Sequence, residues 1–241
     1  MDARHTDREY EEELRSLEER ILLMGRKVQA MIAGSVRALV GRNTGLAEEI
    51  IDADHEVDRL EIETDDHCLS ILARRQPVAS DLRFIATALK VVTDLERIAD
   101  LATNICERVI ELNREPPLQS TEPITLMADE VQAMFKDALE AFLSRDDGRA
   151  RQILLRDDVV DAAFAKLFRE LLATMLEDSS FIRRAIRLQA VAKYLERIAD
   201  HATNLAEMVV FMSKGQDIRH PHSRDAPRRR AVVRKPEPDE G

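Results

Sequence analysis

A chain of 241 residues is long enough for one large or two small domains with a sizeable core. It has no Trp, only 7 Gly, 4% aromatic and 34% charged residues, a balance that favours an all-helical protein. From Ser213 onward eight Lys/Arg stand against five Asp/Glu, so a +3 tail follows a body that carries −13, for a net −10, and such a body speaks against wrapping nucleic acid, which needs a basic face.

The N-terminal stretch MDARHTDREYEEEL is acidic and lacks an apolar run, so no signal peptide is expected. No apolar stretch approaches membrane-spanning length, and a soluble, cytoplasmic protein is expected. Helical periodicity then runs from about Asp7 to Arg42 through Leu14, Leu17, Ile21, Met24, Val28, Met31, Ser35 and Ala38. Asn43-Thr44-Gly45 signals a turn. A second helix follows on Ile50, Ala53, Val57, Leu60, Thr64, His67 and Ile71, and stops before Gln76-Pro77. Ser80 is the expected N-cap of a third helix ending near Asn113, and Pro116, Pro117 and Pro123 mark a linker.

The second half repeats this plan. One helix is expected over about Ile124 to Leu143, and Asp146-Asp147-Gly148 turns the chain. Another spans about Ala150 to Leu176, and Asp178-Ser179-Ser180 caps the last, about Phe181 to Met212. Short connections favour antiparallel neighbours. The expected fold is therefore all-α, with two tandem homologous three-helix bundles over 1–115 and 116–213 and a disordered basic tail over 214–241. Cys68 and Cys106 lie in apolar helical patterns without a CxxC pair, so buried free thiols are expected.

The duplication is sharpest at Leu95-Glu96-Arg97-Ile98-Ala99-Asp100 followed by Ala102-Thr103-Asn104. One hundred residues on come Leu195-Glu196-Arg197-Ile198-Ala199-Asp200 and Ala202-Thr203-Asn204. The apolar seams are Val91, Leu95, Ile98, Ala102, Ile105, Val109, Leu112 and Val191, Leu195, Ile198, Ala202, Leu205, Val209, Met212. With Leu95 and Ile98 at heptad positions a and d, Glu96, Asp100, Asn104 and Glu107 turn away from the core, as do Glu196, Asp200, Asn204 and Glu207.

Outward carboxylates are the norm on a solvated helix face. Like charges at i,i+4 nevertheless destabilise a helix by a few tenths of a kcal/mol, and both repeats keep Glu96/Asp100 and Glu196/Asp200. The preceding helix of each repeat adds its own pair, Asp54/Asp58 and Asp157/Asp161. Four converging carboxylates are relieved by a cation that takes oxygen ligands, such as iron, manganese, magnesium, calcium or, less characteristically, zinc. The pattern alone leaves three readings: a metal-bearing regulatory protein, a carboxylate-bridged metal enzyme, or a metal-free helical scaffold with solvated acids. Missing Glu-x-x-His pairs and the outward acids count against the enzyme. His55 is read as a surface residue, and His201 faces Leu101 in the first copy, so it is not a shared ligand.

The residues Gln76-Pro77-Val78-Ala79-Ser80-Asp81-Leu82-Arg83 and both Leu-Glu-Arg-Ile-Ala-Asp motifs resemble the PhoU family, as do Met24-Gly25-Arg26 and Ile51-Asp52-Ala53-Asp54. The resemblance spans about residues 7–213. It implies two similar three-helix bundles with multinuclear iron or zinc clusters on their surfaces. By that likeness Asp54, Asp58, Glu96 and Asp100 serve one cluster and Asp157, Asp161, Glu196 and Asp200 the other, with Asn104 and Asn204 as weaker candidates. It implies no enzymatic activity but an accessory regulator of phosphate uptake. Such a regulator couples a PstB-like transporter ATPase to a PhoR-like sensor kinase, keeps the phosphate-starvation response off, often dimerises, and meets the membrane only through partners. Ala99 and Ala199 stand where many members carry Gly, and the Leu101/His201 difference would make the two sites unequal.

Overall fold

The computed structural model describes residues 8–117, 121–215 and 217–218. The described residues form seven α-helices and no strand. The first repeat is α1 (Arg8–Gly41), α2 (Thr44–Arg75) and α3 (Ala79–Leu112). The second is α4 (Glu122–Ser144), α5 (Asp147–Leu154), α6 (Asp157–Glu177) and α7 (Ile182–Lys214), with a 3-10 turn at Ser179–Phe181. The all-α, two-repeat plan is as expected, with corrections at three boundaries and one additional break.

Ser80 does not cap α3. Val78 is the cap residue, extended and without a side-chain bond, and the Ser80 hydroxyl instead donates to Asp81 Oδ1 at 3.3 Å. The helix expected over about Ala150 to Leu176 is interrupted at Leu155–Arg156. No Gly or Pro marks this break. Its physical cause is Arg156, whose guanidinium reaches across to α4 and binds Glu130 at 2.7 Å and Asp137 at 2.6 Å. Asp146 accepts from the Arg149 N–H and starts α5, so Asp147 and Gly148 are already helical rather than turning the chain. At the other end, α7 runs through Lys214 and stops at Gly215, whose φ of 68° is a left-handed cap that glycine adopts without a Cβ penalty. Lys214 pairs with Asp147, and Ile218 packs against the core, so the segment expected to be disordered begins as part of the fold. From residue 219 on, that tail lies outside the described residues, as do 1–7 and 118–120.

Both a/d seams are buried along their whole length, from Val91 to Leu112 and from Val191 to Met212. Each fully buried Leu, Ile or Val contributes about 1.5–3 kcal/mol over an exposed one. The seams do not close two separate cores. α3 packs on α1, α2 and α7, α7 packs on α3, α4, α5 and α6, and α1 meets α4, giving one continuous apolar cluster. This is why α3 is buried beyond its a/d positions, at Ile85, Val92, Ala99 and Cys106. Cys68 and Cys106 are free and buried, as expected, and burial pushes each thiol up to about 12. Among the described residues no helix is long and apolar enough to cross a membrane.

The repeats meet with α3 and α7 antiparallel. Arg83, near the start of α3, donates to the Met212 carbonyl at 3.2 Å, and Arg187, near the start of α7, pairs with Glu111 at 2.8 Å. Midway, His201 Nδ1 lies 2.8 Å from Asp94 Oδ1, and Asp94 is 5% exposed. Arg42 closes the end of α3 by donating to the carbonyls of Asn113 (3.1 Å) and Glu115 (2.7 Å).

The α1–α4 contact depends on a missing side chain. A Cβ on Gly25 would stand 2.6 Å from Leu139 Cδ2. Gly25→Val should therefore destabilise the protein by about 1–3 kcal/mol through overpacking. Thermal melting followed by circular dichroism measures this, and an unchanged melting temperature would contradict so close an approach of α1 and α4.

Candidate metal centre

Antiparallel packing of α2 on α3 sets the acids of one helix beside those of the other. The Glu96 carboxyl is pushed up to about 7, first by burial and then by the charges of Asp100, Glu61, Asp58 and Asp54. Asp54 rises to about 6 through burial, then Asp58 and Asp100. Its Oδ1 is buried with no hydrogen-bond partner. Asp54, Asp58, Glu96 and Asp100 therefore form one interacting group on the outer face of the first repeat, away from the a/d seam.

The sequence reading missed a member of this group. Glu61 is also raised, by burial and by Asp65, Asp58 and Asp100, with Arg97 opposing. Asp54, Asp58, Glu61 and Asp65 recur at 4, 3 and 4 residues, which makes a single acidic stripe on α2. The signal was the same helical spacing that marks the apolar seam, extended one pair further.

The second repeat builds the same arrangement from α6 and α7, with a difference. Asp157 is raised to about 6 by burial, then by Asp200, Asp161, Asp158 and Glu196. Asp200 is raised by burial and Glu196, while Lys193 opposes. Here the α6 stripe runs Asp157, Asp161, Phe164, Phe168, with aromatic residues where α2 carries Glu61 and Asp65. Lys193 stands 5.5 Å from the centre of the Phe164 ring and its ammonium pairs with Glu196. Among the described residues the first cluster thus holds more acids, opposed only at a distance by Arg97, whereas the second has fewer acids and an ammonium paired directly with Glu196. The two sites are unequal, but the Leu101/His201 difference is not the source, because His201 is turned to Asp94 in the seam.

The asparagines sit apart from this pattern. The Asn104 amide nitrogen donates to the Asp100 carbonyl of its own helix at 2.8 Å. Asn204 lines a cleft with Lys90, Thr93 and Arg97 of α3. His55 is exposed, as expected for a surface histidine.

The donor set consists of carboxylate oxygens, which suit a hard or borderline cation. The partnerless Asp54 oxygen and the raised Glu96, Asp54 and Asp157 are what carboxylates show when they are held together without a counter-ion. The residues therefore fit a metal by chemistry. Among the described residues, no three His, Cys, Asp or Glu side chains already stand in a geometry that holds an ion. The carboxylates stand close enough to raise one another but not close enough to grip an ion, so a cation would have to draw their side chains in.

Comparison with known proteins bears on the whole chain. The model of the PhoU domain matches twice, over residues 21–109 and 124–209, which are the two structural repeats. A phosphate-specific transport system accessory protein PhoU homolog of Pseudomonas putida is 37% identical over 218 residues, covering 90% of this chain and 85% of the relative. The corresponding protein of Aquifex aeolicus is 40% identical over 213 residues, 88% of this chain and 96% of the relative. In three dimensions the chain is similar to the crystal structure of PhoU from Pseudomonas aeruginosa, with a TM-score of 0.84 at 36% identity over 86% of this chain and 100% of that one. It is also similar to the phosphate transport system regulatory protein PhoU from Streptococcus pneumoniae, with a TM-score of 0.81 at 27% identity over 87% and 99% of the two chains. With both repeats matched and most of its length aligned, the chain belongs to the PhoU family.

Proposed function

We propose that this protein is a cytoplasmic, non-enzymatic regulator of phosphate uptake that carries metal ions at two unequal carboxylate clusters. Asp54, Asp58, Glu96 and Asp100, extended by Glu61, hold one site. Asp157, Asp161, Glu196 and Asp200 hold the other. The observation that carries this reading is the repeated convergence of acids from two helices, kept in both halves although it costs stability without a cation. Iron or zinc clusters are the expected occupants, and manganese or magnesium would suit the same oxygen donors. The metal supplies positive charge that joins two helices otherwise forced apart. The protein's part is to hold the ligand helices in register and leave the cluster on an outer face, where a partner can reach it. The names of the relatives, accessory and regulatory proteins of phosphate transport, support the physiological half of the reading. As a homodimer, the protein would damp signalling from a PhoR-like sensor kinase and act on a PstB-like transporter ATPase.

Protein purified without added metal should contain stoichiometric metal by elemental analysis. Asp100→Ala should empty the first site and Asp200→Ala the second, each losing about half. Metal-free wild type at full helicity would leave only the scaffold reading.

In the metal-free protein the raised carboxyls set the sign of the pH dependence. Glu96 holds its proton to about pH 7 when folded and Asp54 to about pH 6, whereas in the unfolded chain both release it near pH 4. Their contribution to stability is thus fully present below pH 4 and is lost as pH rises to about 7. Metal-free protein should lose melting temperature between pH 5 and 8. Glu96→Gln should flatten this dependence and raise the melting temperature at pH 8, and added metal should stabilise wild type more at pH 8 than at pH 5. A Glu96→Gln profile parallel to wild type would contradict the assignment.

Deleting the gene should leave phosphate-starvation genes switched on in phosphate-rich medium. Normal repression in a strain with no second family member would overturn the regulatory role.

A further inference from the structure

The seam between the repeats contains a feature that the carboxylate clusters do not use. An open cleft of about 380 Å³ is lined by Leu89, Lys90, Thr93 and Arg97 of α3 and by Asn204 and Met208 of α7. This is within the size range of small-molecule sites, which combine apolar walls with a few polar groups. Lys90 and Arg97 are exposed, and among the described residues neither makes an ion pair. Arg97 also feels Glu61 of α2. The one acid of the cleft, Asp94, is nearly buried and is engaged by His201. Lys90 and Arg97 thus place two exposed cations, neither in an ion pair among the described residues, at one cleft of a body that carries −13.

The other side of the seam lacks this arrangement. At the offset of 100, Ala190 stands for Lys90 and Tyr194 for Asp94. Lys193, which stands for Thr93, is tied to Glu196, and Arg108, which stands for Met208, is tied to Glu107 and Glu111. The repeats have therefore diverged at these cleft positions, which leaves Lys90 and Met208 on one side, while Arg197 and Asn104 keep the counterparts of Arg97 and Asn204 on the other.

Seven residues separate Lys90 from Arg97, about two helical turns or roughly 10.5 Å. Two long side chains at that spacing can close on linked phosphates from opposite ends. Leu89 and Met208 supply an apolar seat, and a thioether packs favourably on an aromatic ring. The Asn204 amide can donate to a phosphate oxygen. We propose that this cleft binds an organic diphosphate of the nucleoside diphosphate class, its phosphates between Lys90 and Arg97 and its ring on Leu89 and Met208. Bound there, it would bridge the two repeats and stabilise their seam.

The test is isothermal titration of the full chain with ADP in the presence of EDTA, which removes bridging through metal at the carboxylate clusters. Saturable binding of one ADP per chain is expected, together with a rise in melting temperature. Lys90→Ala and Arg97→Ala should each weaken binding at least tenfold, and Lys166→Ala, on α6 away from the cleft, should not. Pyrophosphate, which lacks the ring, should bind at least tenfold more weakly than ADP. Absence of saturable binding, or equal affinity in a folded Lys90→Ala/Arg97→Ala double variant, would overturn the site. Equal affinity for pyrophosphate and ADP would overturn the apolar seat.

Discussion

The antiparallel packing of α3 on α7 makes the two repeats one body. Each of these helices already gives its a/d stripe to its own repeat, so the seam must be built from additional faces. On α3 the flank that includes Asp94 meets that demand: Thr87, Asp94 and Leu101 are all buried there, and Asp94 is held by His201 of α7. The helix that carries Glu96 and Asp100 is thus pinned along another flank by α7, which resists tilting it away from α2.

This anchoring explains the electrostatics. A carboxylate on a free helix would turn towards water. Held between two helices, Glu96 and Asp54 keep their protons to unusually high pH instead. The second repeat resolves the same crowding differently, with Lys193 as a fixed counter-charge and Phe164 in place of an acid. A metal therefore has more repulsion to relieve in the first cluster than in the second.

Most of the fold was legible because seven-residue periodicity reports burial directly. All fourteen seam positions from Val91 to Met212 are buried, and the turn at Asn43 caps α2 through a 3.0 Å bond to the Leu46 N–H. The α5–α6 break was not legible, since Arg156 carries no local breaking signal and acts through Glu130 and Asp137, which lie 26 and 19 residues away. Ser80 misled because cap preference is only local, whereas its hydroxyl turned to the neighbouring Asp81. The pairing of Asp54/Asp58 with Glu96/Asp100 followed from antiparallel neighbours. Glu61 escaped because attention to pairs shared by both halves hides what only one half has. Asp94 escaped for another reason: heptad counting sees a helix with a single buried face, and α3 has more than one.

The Asp94–His201 pair bears on how such a duplicated chain avoids pairing with the wrong partner. The repeats are alike enough that α3 of one molecule could seek α3 of another in the register that α7 normally occupies. In that pairing the position of His201 is filled by Leu101, and Asp94 would be sealed against a hydrocarbon side chain. A buried carboxylate without a partner costs several kcal/mol or must take up a proton. The two α7 helices, paired the same way, would set His201 against Tyr194. One acid on one repeat and one imidazole on the other therefore act as a key that fits only the unlike half, and exchange of halves between molecules is penalised unless it rebuilds the same unlike pair.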